Sequence, residues 1–314
     1  MEIGGYIEFP HFAGSVLHNE AIALNSARNC LAYLIEAKKI KKIAIPKYLC
    51  ASIEQVCMQY DLKIRYYSIG KDFFPQDLQL ENEEWMYLVN YYGQISNAKI
   101  NKIKELYERL IVDNVQAFFQ MPLSNVDTIY TCRKYFGVPD GAFLYTNVNI
   151  DRVLDQDKSV ERMTHLLGRY ESSASEYYSD YIENEGIFEN LPIRKMSKLT
   201  KNLLRGIDYE KVKDIRERNY LLLEHRFASI NKLSLCIPEG AFMYPLYVPN
   251  GAVIRERLRK KKIYIATLWP DVLKICKESE LEYNFAENIL PLPCDQRYDM
   301  QDINWMTKMI LEEL

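Results

Sequence analysis

Residues 110–145 read LIVDNVQAFFQMPLSNVDTIYTCRKYFGVPDGAFLY, and this stretch decides the fold. Three short apolar runs lie within it: Leu110 to Asp113, Thr128 to Cys132 and Ala142 to Thr146. Runs of that length with little polar alternation are the pattern of strands covered on both faces, as in parallel sheets. Two charged groups fall at the ends of these runs, a carboxylate at Asp113 and an amine at Lys134. In open α/β sheets ligands sit beyond the carboxyl ends of the strands, so both positions point to a site.

Upstream the alternation of helix and strand continues. Ser26 is placed to cap a helix whose apolar stripe is Ala27, Leu31, Leu34 and Ile35. The run Lys42 to Ile45 reads as a strand stopped by Pro46, with a second helix over about Ser52 to Tyr60. Leu62 to Ser68 and Trp85 to Tyr91 are further strands, and Ala98 to Arg109 is an amphipathic helix. Crossovers between such strands are right-handed. Downstream, Asp151 to Asp180 reads as helical, and the polar, Tyr-rich segment Glu171 to Asn190 as an exposed loop or interface. From about Lys201 the pattern gives a long helix over Glu210 to Phe227, short strands at Leu233 to Cys236 and Ala241 to Val248, and a helix from Ala252. A strand at Ile263 to Ala266 and a helix over Met300 to Leu314 complete a small α+β domain. The expected division is a large α/β domain over residues 1–200 and a smaller one over 201–314.

Composition narrows the function classes. The 314 residues are 48% hydrophobic and 26% charged, with 12 Gly and 12 Pro, which places the chain among ordinary globular proteins. A net charge of -3 gives no broad positive field for nucleic acid. The basic runs Lys38 to Lys42 and Arg255 to Lys262 read as solvated helix ends. Seven cysteines without a Cys-x-x-Cys pair suggest reduced thiols, neither a disulfide framework nor a zinc site. His11, His18, His165 and His225 have no metal-binding spacing, and neither a Gly-x-Ser-x-Gly elbow nor a Gly-x-x-x-x-Gly-Lys loop occurs. Met1 to Pro10 lacks the basic and apolar regions of a leader, and no stretch of about 18 apolar residues suggests a membrane span, so a cytoplasmic location is expected.

Four ordered segments carry a resemblance: Leu24-Asn25-Ser26-Ala27-Arg28-Asn29-Cys30-Leu31, Val89-Asn90-Tyr91-Tyr92-Gly93-Gln94, Ile111-Val112-Asp113-Asn114-Val115-Gln116-Ala117, and Thr131 to Gly141. A weaker fifth is Leu290 to Tyr298. In this order the chain resembles the DegT/DnrJ/EryC1/StrS sugar aminotransferases, which belong to fold type I of the enzymes dependent on pyridoxal 5'-phosphate (PLP). That resemblance implies a large α/β/α domain with a mostly parallel sheet, a smaller C-terminal α+β domain, PLP as cofactor and a homodimer. It also implies transfer of an amino group from glutamate to a keto-sugar nucleotide, in polysaccharide or secondary-metabolite sugar biosynthesis.

The resemblance assigns roles residue by residue. Lys134 takes the place of the Schiff-base lysine and catalyst, and Asp113 that of the partner of the ring nitrogen. Gln116 stands where the family contacts the ring hydroxyl. Ser26, Ala27 and Arg28 lie at the phosphate loop, with Thr131 adding a hydroxyl. Tyr48 is the candidate to cover the ring face, with a slip of two residues to Cys50 as the alternative. The family's usual Gly and Thr are replaced by Ala27 and Arg28, and its frequent His by Asn90. Chemistry supports the set independently: helix N-termini suit dianions, and a carboxylate at the end of an apolar strand requires a partner. A lysine becomes nucleophilic where burial or nearby positive charge lowers its proton affinity. Taken singly, Ser26 reads almost as well as an ordinary cap, Asp113 as a helix cap, Lys134 as a surface lysine and Tyr48 as a core aromatic. Thr267, Trp269 and Arg297 stand as possible borders of a substrate cleft.

Three other readings stay open. One is a PLP-dependent sugar dehydratase, disfavoured because that variant commonly carries His at the position of Lys134. Another is a protein that binds a sugar nucleotide or partner without turnover. The last is an α/β nucleotide-binding enzyme without PLP.

Overall fold

A computed structural model describes residues 3–314; Met1 and Glu2, part of the opening stretch read above, lie outside the described residues. Its centre is an eight-stranded sheet of β1 (Ile22–Leu24), β2 (Lys42–Pro46), β3 (Lys63–Ile69), β4 (Pro75–Gln76), β5 (Glu84–Val89), β6 (Leu110–Asp113), β7 (Asp127–Thr131) and β8 (Ala142–Tyr145). Its order is β1-β8-β7-β6-β5-β2-β3-β4. The central pairs are parallel, and antiparallel pairing is confined to β8 with its two neighbours and to β3 with β4. All four residues of β6 are buried, which is why that strand reads as an unbroken apolar run.

Helices α1 (Ala27–Lys38), α2 (Ala51–Gln59) and α3 (Asn97–Leu106) provide the crossovers of this half. Ser26 caps α1 as expected, its Oγ accepting the Asn29 N–H at 3.2 Å. Strand succession runs outward in one direction from β2 to β3 and in the other from β5 through β6 to β7. The boundary between β2 and β5 is therefore a topological switch point, where open sheets form their ligand crevice. Because β8 is antiparallel to both β7 and β1, the carboxyl end of β1 lies at the same edge as those of β6 and β7. Ser26, Asp113 and Lys134 thus share one edge of the sheet.

The remaining helices are α4 (Thr164–Glu171), α5 (Tyr178–Ile187), α6 (Lys198–Leu204), α7 (Tyr209–Phe227), α8 (Gly251–Lys260), α9 (Val272–Ile275), α10 (Leu281–Asn288) and α11 (Met300–Leu311). A second, two-stranded sheet pairs β9 (Met243–Tyr247) with β10 (Ile289–Pro293) in antiparallel register. Tyr220, Leu223 and Phe227 of α7 pack with Leu246, Leu290 and Ile303 in a separate apolar cluster.

Several expectations need correction. Residues 151–159 carry no helix, and helix begins in earnest only at Thr164. The segment expected as a loop at 171–190 contains α5, whose only buried residue is Asn184, so it lacks a strong apolar stripe. Neither Leu233 to Cys236 nor Ile263 to Ala266 is a strand: Ile263 and Ile265 are buried side chains, but no neighbouring strand pairs with their backbone. No helix among the described residues is long and apolar enough to cross a membrane.

Candidate active site

The site is built on the carboxyl ends of adjacent strands. In the parallel ladder Val89 lies beside Asp113 and Tyr87 beside Ile111. Side chains two apart share a face, so Tyr87 of β5 and Asp113 of β6 project to the same side. Tyr87 donates its hydroxyl to Asp113 Oδ2 at 2.8 Å, and the Val115 N–H donates to Oδ1 at 2.9 Å. Asp113 is only 4% exposed, and burial pushes its carboxyl above the usual carboxylate range against the opposing pull of Lys134 and these two donors.

Lys134 follows β7, the neighbour of β6. Lys134 is an exposed residue by surface area, although protein packs densely around its amine. Partial desolvation by that surrounding protein lowers its proton affinity; Asp113 and Cys50 oppose the shift, and Arg133 reinforces it. Its Nζ lies 5.6 Å from the ring centroid of Phe242. Asp113 and Lys134 therefore act on each other's charge, yet no ion pair closes between them among the described residues. An amine shifted toward its neutral form, facing a buried carboxylate, is a combination suited to nucleophilic and proton-transfer chemistry.

The polypeptide on either side of Lys134 is firmly held. Tyr135 O accepts from Gln296 Nε2 at 2.7 Å and from Arg216 Nη2 at 3.3 Å. Arg216, 1% exposed, also reaches Ala241 O at 2.7 Å and Gln296 Oε1 at 2.8 Å. Cys132 N donates to Gly141 O at 3.0 Å and Gly141 N to Asn25 O at 2.8 Å, tying the loop of Lys134 to the start of α1. Gly141 has φ of 114°, and a Cβ there would meet Thr200 Cγ2 at 2.9 Å, so a glycine is required.

The other sequence candidates divide. Thr131 ends β7 beside Lys134 and is 7% exposed. Gln116 is buried and its Oε1 accepts the Tyr92 N–H at 2.7 Å, fixing Tyr92 in a left-handed conformation with φ of 53°. Ser26 Oγ is engaged in its own cap, and Ala27 opens the first turn of α1. Tyr48 is completely buried in an aromatic core, edge-on to Trp269 at 4.5 Å and close to Tyr91 and Phe285. Cys50, two residues on, is half-buried at the start of α2, and its charge bears on Lys134. Arg28 lines a cavity between α1, α2 and residues 188–193 that Lys134 and Asp113 do not share.

Asn90 uses both ends of its amide internally: Nδ2 donates to Asn114 Oδ1 and Gln120 Oε1, each at 3.0 Å, and Oδ1 accepts the Ile95 N–H at 2.8 Å. Trp269 belongs to the Tyr48 core. Arg297 forms a two-point pair with Asp295 at 2.7 and 2.8 Å, and Thr267 is half-buried. Sequence reasoning missed Tyr87, Phe242 and Arg216. For Tyr87 a signal existed in the period-2 spacing of β5, but the other two come from distant segments with no local pattern.

The donor set fits PLP in two respects: a lysine amine and a strand-end carboxylate lie at the same edge of the sheet and bear on each other's charge, and neither neutralises the other by direct pairing.

Comparison with sequence-family models finds no match, and comparison with curated proteins finds none either. Solved structures do match. A DegT DnrJ EryC1 StrS aminotransferase from Brucella abortus superposes with a TM-score of 0.63 at 14% identity, covering 93% of this chain and 85% of that one. The sugar aminotransferase CalS13 from Micromonospora echinospora gives 0.63 at 12% identity, covering 95% and 88%. NtdA from Bacillus subtilis, solved with bound cofactor PMP, gives 0.67 at 13% identity, covering 93% and 73%. The chain has the α/β fold of these aminotransferases, fold type I of the PLP-dependent enzymes.

Proposed function

We propose that this chain is a PLP-dependent aminotransferase of the DegT/DnrJ/EryC1/StrS kind, transferring an amino group from glutamate to a keto-sugar nucleotide. The observation that carries the reading is the unpaired but mutually sensed Lys134 and Asp113 at neighbouring strand ends. The likeness to a sugar aminotransferase and to a protein solved with PMP supports it.

Lys134 Nζ would hold the cofactor covalently, Asp113 would face its ring nitrogen, and Thr131 and the first turn of α1 would meet its phosphate. The cofactor supplies an electron sink that stabilises negative charge at the substrate carbon. Tyr87 and the Val115 N–H orient the Asp113 carboxylate and keep its charge in place. Once released, Lys134 Nζ accepts the proton from the donor's α-carbon, for which its lowered proton affinity suits it. Gln116 and Tyr92 fix the loop after β5 beside this centre. Arg216 and Gln296 hold Tyr135 O, which limits the wandering of Lys134 itself.

The reading includes a homodimer, supported by the exposed apolar side chains of α4 and α5, among them Leu167, Tyr170, Tyr178 and Ile182. It includes a cytoplasmic setting, a division near residue 200 and a role in surface-polysaccharide or secondary-metabolite sugar biosynthesis. A second reading, a protein binding a sugar nucleotide without turnover, is favoured by the altered motif positions Ala27, Arg28 and Asn90. The half-reaction separates them. PLP-loaded protein is mixed with glutamate and other amino donors, and the cofactor is extracted and chromatographed. Conversion to pyridoxamine phosphate, lost in Lys134→Ala, is expected; no conversion with any donor contradicts turnover.

A further inference from the structure

A cleft of about 220 Å³ opens between α1, α2 and residues 188–193. Its walls are tied together on both sides. Asn29 of α1 donates its amide to Leu191 O at 3.2 Å and to Pro192 O at 2.9 Å, and Gln59 of α2 donates to Glu189 O at 3.1 Å. Phe188 packs against Arg133 and Arg162, 4.1 and 5.3 Å from its ring centroid, and these two guanidiniums already have carboxylate partners in Glu185 and Asp157. Neither lines the cleft, so they brace its wall and bring no charge into it.

Two charged side chains do line it, Arg28 and Glu189, and no ion pair joins them among the described residues. Arg28 Nε is buried without a partner, whereas Glu189 is exposed. An unpaired buried N–H is costly, and a guanidinium matches the planar fork of a carboxylate. A phosphate dianion would meet Glu189 as a like charge, but a zwitterion is matched at both ends. The lining also includes the buried apolar side chains Ala32, Val56, Phe188 and Ile193. A ligand that answers all of these features carries one carboxylate, one ammonium and an apolar group. The volume falls below the roughly 300–1,000 Å³ of sites for drug-sized molecules, which sets the ligand at the size of a single small metabolite.

We propose that this cleft binds a small α-amino acid with an apolar side chain, its carboxylate on Arg28 and its ammonium on Glu189. The site does not rest on the reading of Lys134, since neither Lys134 nor Asp113 lines the cleft. Arg28 supplies most of the affinity, because a charged contact removed from water is worth more than one at an exposed rim.

The test is calorimetric titration of the full chain, as wild type and as Lys134→Ala, with L-leucine, L-glutamate, isocaproate (leucine without its ammonium) and isoamylamine (leucine without its carboxylate). Leucine is expected to bind both proteins saturably and more tightly than glutamate. Isoamylamine binds about tenfold or more weakly than leucine, and isocaproate several-fold more weakly. Arg28→Gln weakens leucine by about tenfold or more and binds leucine and isoamylamine alike, because the group that told them apart is gone. Glu189→Gln weakens leucine several-fold, and unchanged melting temperatures check that both variants fold. No saturable leucine binding, tighter binding of glutamate, or wild-type affinity in Arg28→Gln overturns the proposal. Leucine binding that disappears in Lys134→Ala also overturns it, since the ligand then sits at Lys134. Borohydride capture of PLP at Lys134, measured on wild type, reads the enzymatic proposal separately. Loss of capture with intact leucine binding sinks only the latter.

Discussion

Asp113 and Lys134 stand at the ends of neighbouring parallel strands, and each shifts the other's proton affinity without an ion pair between them. The carboxylate is instead occupied by the Tyr87 hydroxyl and the Val115 N–H. Burial dominates both groups, driving each toward its neutral form, while their mutual attraction restores part of the charge. The pair is thus held apart and electrostatically connected, an arrangement with room for chemistry.

Removing the carboxylate charge isolates that connection. In Asp113→Asn the ammonium of Lys134 loses its main opposing support, and its proton affinity falls further. Reductive methylation followed by peptide mass analysis reports the fraction of neutral amine against pH. The midpoint for Lys134 is expected to move down by about one pH unit. An unchanged midpoint means that the two groups do not share an environment.

His18 makes a different prediction, on stability. Its Nε2 lies 2.8 Å from Phe118 O and must donate, so Nδ1, 3.1 Å away, accepts from the Tyr145 hydroxyl. Burial among Phe118, Tyr130 and Phe143 lowers its pKa from 6.5 to about 4. The unfolded chain therefore binds the extra proton first, and the contribution of His18 is complete above 6.5 and lost as pH falls toward 4. The loss is roughly 3 kcal/mol over that window. Asp113 and Asp140, raised by burial, slope the opposite way, so the effect is read as a difference. Urea unfolding of wild type and His18→Gln across this range should give curves that converge as the medium becomes acidic; parallel curves contradict the assignment.

Gly141 tests the frame around Lys134. Alanine at φ of 114° is strained, and its Cβ would meet Thr200 Cγ2 at 2.9 Å and Met196 Cε at 3.2 Å. Thr200 cannot yield easily, because its hydroxyl is bonded to buried Asp140. Gly141→Ala is expected to cost about 1–3 kcal/mol in urea unfolding and to lower PLP capture at Lys134. A variant as stable as wild type indicates that the turn is more yielding than its geometry implies.

The legibility of this molecule in its sequence follows the physics of burial. Strands buried on both faces, such as β6, have no polar face to obscure them and stand out as apolar runs. By contrast β1 has three residues, of which only Leu24 is buried, and β4 has two, too few for any period to show. Ile263 and Ile265 alternate like a strand because both are buried, yet burial alone does not create a hydrogen-bonding neighbour. At the site, Asp113 and Lys134 were legible from their order and strand-end placement. Tyr48 sits in the aromatic core with Trp269, the ordinary alternative that its residue type already offered. The direction of Arg28 was hidden: its rotation on α1 depends on α2 and residues 188–193, far away in sequence.

The account depends most on the amine of Lys134 being the group that takes the cofactor. The direct measurement is incubation with PLP, borohydride reduction and peptide mapping of wild type beside Lys134→Ala. A single stoichiometric phosphopyridoxyl adduct on the Lys134 peptide, absent from the variant and suppressed in Asp113→Asn, is the predicted result. Adducts scattered over surface lysines, or equal capture by Lys134→Ala, would contradict it.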